Sequence, residues 1–424
     1  MRKTKLMSKL MIAGVLTLTA CLGAILTAGA EEISFGALYP LSGNQANTGA
    51  EIINGIEFGV DVVNNSYDLE LPGAKEEGIQ SLDGAKLKPI TGDTQGVAEK
   101  GMSVAEQIIT GKDNAVAIVG AYNSAVAVTI AQVTEKYGFP FICPDCTSPS
   151  LTENGFEYFF RLTPIDTTFV NNMINFLSDM NAEKGADLHT VAIVYENSLW
   201  GQDFSEQATD LLTEAGFEVT LDLVYAADSA ELNSEVQKIK NANPDVVIHA
   251  TYASDAILFM KTYKEQNFAP KVLLANAGGF IEQSYFDALG EDGNYVVTRS
   301  VFSSDIGAQK PIIQQVNDIY KEKYGHDMNE YSARAFMGVL VLADALERAG
   351  STDPDAICDA LRETNFSADE VIMAWEGITF DEKGQNTLGR GLVGQLENGE
   401  IKTVWPFDLA TTEPVYPFPS WTDR

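Results

Sequence analysis

The sequence is expected to fold as an α/β protein with two lobes, each built on a parallel sheet. Short apolar runs alternate with helix-compatible segments from Glu31 onward. The alternation starts again after Arg161-Leu162-Thr163-Pro164, and 424 residues are enough for two such units.

The chain is organised around Ala115 to Leu151, which reads as strand, helix, strand: Ala115 to Val119, Ser124 to Lys136, then Phe139 to Ile142. In a parallel sheet both strands end on one edge, so Tyr122-Asn123-Ser124 and Pro144-Asp145-Cys146-Thr147 are expected to face one crevice. Ser124 is placed to open its helix as the N-cap, where free backbone amides suit a carboxylate. The plainer reading keeps Ser124 and Thr147 as cap and turn formers only.

Taken in order, Ile33 to Tyr39 is a strand, Pro40 to Gly49 a polar loop, and Ala50 to Asn64 a helix whose apolar side is Ile52, Ile53, Ile56 and Val60. A polar, Gly-bearing excursion fills Asn65 to Ala85, before a strand at Leu87 to Thr91 and a helix at Val97 to Thr110. In the second half, helices at Phe169 to Met180, Gly201 to Ala215, Leu232 to Asn241, Ala253 to Glu265 and Ile281 to Leu289 alternate with strands. The strands are Thr190 to Tyr195, Val219 to Val224, Val246 to Ala250 and Val272 to Ala275. Val296 to Val301 is a further strand, followed by helices at Pro311 to Tyr324, Tyr331 to Ala349 and Asp353 to Arg362. The tail from Gly377 reads as short strands, with Asn398-Gly399 turning a hairpin between Leu392 to Leu396 and Ile401 to Trp405.

The first nine residues carry four positive charges and no negative one, and the apolar run Leu10 to Ala20 has the length of a signal h-region. Export is therefore expected, with residues 1–30 as the signal segment. Leu18-Thr19-Ala20-Cys21 resembles the bacterial lipobox, in which the Cys is lipidated; Ala28-Gly29-Ala30 offers instead a cut that releases the chain at Glu31. The formal charge of −32 repels phosphate backbones, so nucleic acid is not an expected partner. Beyond Cys21 three cysteines remain, an odd number that argues against a disulfide framework.

Cys143-Pro144-Asp145-Cys146 is the sharpest chemical motif, since a C-x-x-C pair can exchange thiol for disulfide. Here Thr-Ser-Pro-Ser follows it, which favours a loop over the helix that activates a thiolate. Gly389 to Gly394 matches G-x-G-x-x-G by spacing but runs toward a hairpin, so it is read as chance. His189, His249 and His326 are unclustered; no metal and no cofactor is expected. Tyr122, Tyr195 with Trp200, and Tyr252 each follow a strand, where an aromatic wall would border a small-molecule site.

Several of these segments resemble bacterial extracellular solute-binding proteins of the branched-chain amino acid (leucine/isoleucine/valine) type, over nearly the whole mature length. The matching pieces are Gly36 to Gly43, Val119-Gly120 through Ser124, Pro144 through Leu151 with Arg161, Val194-Tyr195 through Trp200-Gly201, and Ile378 to Gly384. The resemblance implies a periplasmic-binding-protein type I fold: two Rossmann-like lobes joined by three crossovers near Thr163, Thr298 and Glu376, with the ligand cleft between them. Lobe 1 would be residues 31–163 plus 298–375, and lobe 2 residues 164–297 plus 376–424. It further implies a non-enzymatic receptor that hands an amino acid or related ligand to an ABC permease and ATPase. Ser124 and Thr147 would bind the ligand's carboxylate and ammonium, Trp200 and Tyr252 would close from the second lobe, and Thr48 and Tyr331 would flank the side-chain pocket.

Two departures stand out. Asp145 and Cys146 occupy positions that are small in the family, and the second-lobe acid that holds the ammonium is replaced near Asn276-Ala277. Asp145 is then the candidate for the ammonium. The alternatives are an aromatic or purine-like ligand stacked on Trp200 and Tyr252, a sensory module with no transporter, and an envelope thiol-disulfide oxidoreductase using Cys143 and Cys146.

Overall fold

The computed structural model describes residues 31–424; the signal segment and Cys21 lie outside them. β1 (Glu32–Tyr39) has no charged residue after Glu32 and is buried along most of its length, as a strand covered on both faces must be. It sits inside a parallel five-stranded sheet with β2 (Lys86–Asp93), β3 (Ile118–Gly120), β4 (Phe141–Cys143) and β5 (Phe159–Arg161), in the order β2-β1-β3-β4-β5. β5 and the short helix Ser150–Glu153 had no counterpart in the sequence reading; three residues, Phe-Phe-Arg, are too few to show a period.

A second sheet contains β6 (Thr190–Glu196), β7 (Glu218–Tyr225), β8 (Val246–Ala250), β9 (Val272–Ala275) and β10 (Val297–Ser300). β11 (Asn365–Ser367) and β12 (Gly377–Thr379) form a small separate ribbon. β13 (Leu392–Glu397) and β14 (Glu400–Trp405) complete the second sheet, in the order β14-β13-β10-β9-β8-β6-β7. It is parallel from β7 to β10 and antiparallel through the closing hairpin, whose turn residues Asn398 and Gly399 both have positive φ.

Both sheets reverse their winding, between β1 and β3 in one and between β6 and β8 in the other. Each reversal opens a crevice beyond the strands' C-terminal ends, where doubly wound sheets take ligands. The chain leaves the first sheet after Arg161, and Thr298 lies within β10 of the second sheet. Residues 384–386 run along the β5 edge, where Arg161 bridges Gln385 and Asn386 Nδ2 donates to Leu162 O at 3.0 Å.

The helix Glu330–Ala349 is buried at every position from Glu330 to Ala343, so it is a central rod and not an amphipathic cover. Its neighbour Ala46–Asn64 starts four residues earlier than expected and approaches it through glycines. A Cβ built at Gly55 would lie 2.2 Å from Ser332 O, and one at Gly59 would lie 2.8 Å from Val339 Cβ.

Candidate ligand-binding cleft

The two crevices face each other. From the first lobe, Tyr122 and Ser124 follow β3, and Asp145 and Thr147 follow β4; from the second, Trp200 follows β6 and Tyr252 follows β8. These six side chains line one narrow cavity at the cleft floor, together with Tyr331 and two residues the sequence reading missed, Arg299 and Arg334. Four aromatic rings cluster there, tilted or edge-on to one another: Tyr122 lies 5.4 Å from Tyr252 and 5.3 Å from Tyr331, and Trp200 lies 4.9 Å from Tyr252. Tyr331 donates its hydroxyl proton across the cleft to Gly278 O at 2.7 Å.

Under the rings runs a buried polar chain. Thr147 Oγ1 donates to Asp166 Oδ2 at 2.9 Å, and Asn276 Nδ2 donates to Asp166 Oδ1 at 2.8 Å. Arg299 Nε donates to Asn276 Oδ1 at 2.9 Å, and its Nη1 pairs with Glu330. Glu330 also meets Arg334 Nη2 at 2.9 Å, and Arg334 Nε lies 3.2 Å from Asp145 Oδ1. Three carboxylates and two guanidinium groups are tolerable here because each charge has an opposite neighbour. Burial alone would raise Glu330, but Arg299 and Arg334 hold it below the usual carboxylate range.

Asp145 is the exception within the chain. Neither of its oxygens accepts an aligned hydrogen bond, although the Tyr39 hydroxyl, itself without a partner, lies close to them, and Arg334 Nε also lacks one. Burial pushes the Asp145 carboxyl up to about 7, against the pull of Arg334. A buried acceptor and a buried donor thus stand open side by side, a fit for a ligand group that can supply the missing bonds.

Three expectations need correction. Asn123, not Ser124, is the N-cap of the helix Ser124–Tyr137, and it makes no side-chain cap bond; Ser124 is the first helical residue, and Val126 N already donates to Asn123 O at 3.0 Å, which leaves the Ser124 and Ala125 amides for a ligand. Cys146 turns away from the cavity and donates Sγ–H to Ala121 O at 3.0 Å, inside the apolar cluster beneath that helix. Asn276 is fully buried behind the floor, where it joins Asp166 to Arg299 and does not line the cavity. Cys143 is likewise buried, so neither thiol offers the access that disulfide exchange needs.

Thr48 and Tyr331 share an adjoining cavity of about 230 Å³ with Glu282 and Glu51. Glu282, also missed, receives the Tyr122 hydroxyl at 3.3 Å, and burial pushes its carboxyl up to about 7. The one signal for a missed residue is that Arg334 is the single charge between Tyr331 and Ala343; Arg299 sits among Thr298 and Ser300, where a charge does not stand out.

His249 is buried and neutral, pushed down to about 3 by burial. Among the described residues no group of three or more His, Cys, Asp or Glu is arranged to hold a metal ion, and no helix is long and apolar enough to cross a membrane.

This geometry has relatives. Leu/Ile/Val-binding protein homolog 7 of Brucella abortus is 28% identical over 402 residues, covering 92% of this chain and 96% of that protein. A leucine binding protein LivK from Thermotoga maritima superposes with a TM-score of 0.75 at 21% identity, covering 89% and 99% of the two chains. LivJ from Streptococcus pneumoniae, a branched-chain amino acid transporter substrate binding protein solved with isoleucine, gives 0.73 at 20% identity, covering 91% and 100%. The family model described as periplasmic binding protein matches residues 32–400. Two doubly wound lobes meeting over a cleft built at both switch points, in a chain matched by that model almost from end to end, place this protein in the periplasmic binding protein family of extracytoplasmic solute receptors.

Proposed function

We propose that the cleft takes a small α-amino acid and that the protein delivers it to an ABC importer. The observation carrying this reading is the open pair at the floor, Asp145 with two unpartnered oxygens and Arg334 with an unpartnered Nε, under a roof of four rings. An α-ammonium would satisfy Asp145. An α-carboxylate would take Arg334 Nε, the Ser124 hydroxyl and the Ser124 and Ala125 amides that open the helix. Thr147, whose proton is already given to Asp166, keeps lone pairs for the ammonium. The leucine- and isoleucine-related names among the relatives agree with an amino-acid head group.

The second reading is an aromatic carboxylate, favoured by two guanidinium groups in a cavity that is also lined by four aromatic rings. A thermal-shift screen of L-amino acids, aromatic acids and nucleobases separates the two. Stabilisation by an L-amino acid supports the first; stabilisation by benzoate or a nucleobase alone rejects it. Anchoring through Cys21 belongs to the same proposal, and a mature N-terminus at Glu31, read by mass spectrometry, would reject the anchor.

A further inference from the structure

Outside the aromatic rings the cleft widens into a chamber of about 610 Å³, which shares Ser124, Trp200 and Tyr252 with the floor. Its chemistry is one-sided. The lining holds Glu196 and Asp228 from the second lobe and no Lys, Arg or His from either. Glu196 ends β6 and is only 7% exposed. Burial, with Asp255 and Asp228 nearby, pushes its carboxyl up to about 7, so it stands in want of a positive partner. Asp255 is already used, receiving the Asp228 and Ser229 amides at 3.0 and 3.2 Å.

The first lobe presents independent evidence on the opposite wall. Asn123 is 7% exposed, and its Oδ1 has no hydrogen-bond partner; Gln45 Oε1 is likewise buried and unpartnered. Both oxygens converge over Gly96, where an added Cβ would lie 2.7 Å from Gln45 Oε1 and 3.4 Å from Asn123 Oδ1. Unpartnered buried acceptors are uncommon and call for a donor. Two such oxygens, on residues that line the same chamber as two carboxylates, call for a donor that is also a cation. Among the described residues no three His, Cys, Asp or Glu side chains are grouped to hold a metal ion, and a chamber of about 610 Å³ has room for an organic cation.

We propose that the outer chamber is a second subsite, in which Glu196 and Asp228 of one lobe and the Asn123 and Gln45 oxygens of the other receive an ammonium or guanidinium at the far end of the ligand. The substrate class is then an α-amino acid with a cationic side chain, its head at the floor and its tail passing beside Trp200 and Tyr252. This rests on the amino-acid reading of the floor and extends it.

The test is calorimetric titration of the mature chain with two matched pairs, L-lysine against L-norleucine and L-arginine against L-citrulline. In at least one pair the cationic member is expected to bind about ten- to a hundredfold more tightly, the worth of a charge-assisted bond. Glu196→Gln should remove most of that preference. Equal or tighter binding of the neutral member in both pairs overturns the subsite, as does a preference that survives Glu196→Gln. Binding of L-leucine with none of L-lysine or L-arginine overturns the subsite alone. Failure of every L-amino acid to bind removes the floor reading on which it stands.

Discussion

Asp145 sits where two requirements conflict, burial and charge, and the conflict is what makes it useful. A carboxyl at about 7 must lose its proton before it can hold an ammonium. Affinity for an amino acid is therefore expected to fall by about tenfold per pH unit below 7 and to level off above it. Asp145→Asn should weaken binding by about ten- to a hundredfold at pH 8 and flatten the pH profile; calorimetry across pH 5 to 8 reads both. Glu282 supplies a stability test with a definite sign. Its folded pKa, about 7, lies above its ordinary value, so its contribution is full at low pH and is lost as pH rises to about 7. Unliganded Glu282→Gln should accordingly lose less stability between pH 4.5 and 8, by about 3 kcal/mol in urea unfolding. Ser124, Thr147, Trp200 and Tyr252 were legible because residues just past parallel strands must meet at the crevice. Arg299 and Arg334 were not, since a long side chain reaches a site from a position whose spacing does not announce it. Cys146 and Asn276 failed for the converse reason: strand-end spacing brings a residue near the cleft without fixing which way its side chain turns.

Most elements were readable from periodicity alone, and Val246–Ala250, Ala253–Glu265 and Pro311–Tyr324 fall where the apolar pattern places them. The misses share a cause. β5 and β11 are three residues each and exist through pairing, which local pattern does not encode. The helix Glu330–Ala349 shows a good apolar face, yet its other faces are buried by neighbours that the pattern of one helix does not reveal. The contact between Ala46–Asn64 and that helix is set by Gly55 and Gly59. Gly55→Ala would place a methyl 2.2 Å from Ser332 O, backbone that cannot rotate away. A loss of about 1–3 kcal/mol in urea unfolding is expected, as for other overpacked cores; an unchanged midpoint would show that the two helices can separate freely.

Across the whole molecule the lobes touch through rings and hydrogen bonds that span the cleft, among them Tyr331 to Gly278 O and Ser150 Oγ to Asp203 at 2.8 Å. The floor cavity, about 20 Å³, has room for little more than a water molecule, so an amino acid enters only as the rings and lobes part. Binding energy then holds together two halves that are otherwise joined by a few polar contacts. At a hundredfold excess over Kd the closed form should gain about 2.7 kcal/mol, seen as a raised Tm. That gain depends on the claim at the centre of this structure, that the open pair Asp145 and Arg334 recognises an α-amino acid head. The direct measurement is calorimetric titration of the best-bound L-amino acid beside the same acid lacking only its α-amino group. The amino acid is expected to bind at least about tenfold more tightly, because the ammonium gives the buried Asp145 oxygens the hydrogen bonds that they otherwise lack. Equal or tighter binding of the des-amino acid would contradict the claim and make the cleft a receptor for carboxylates alone.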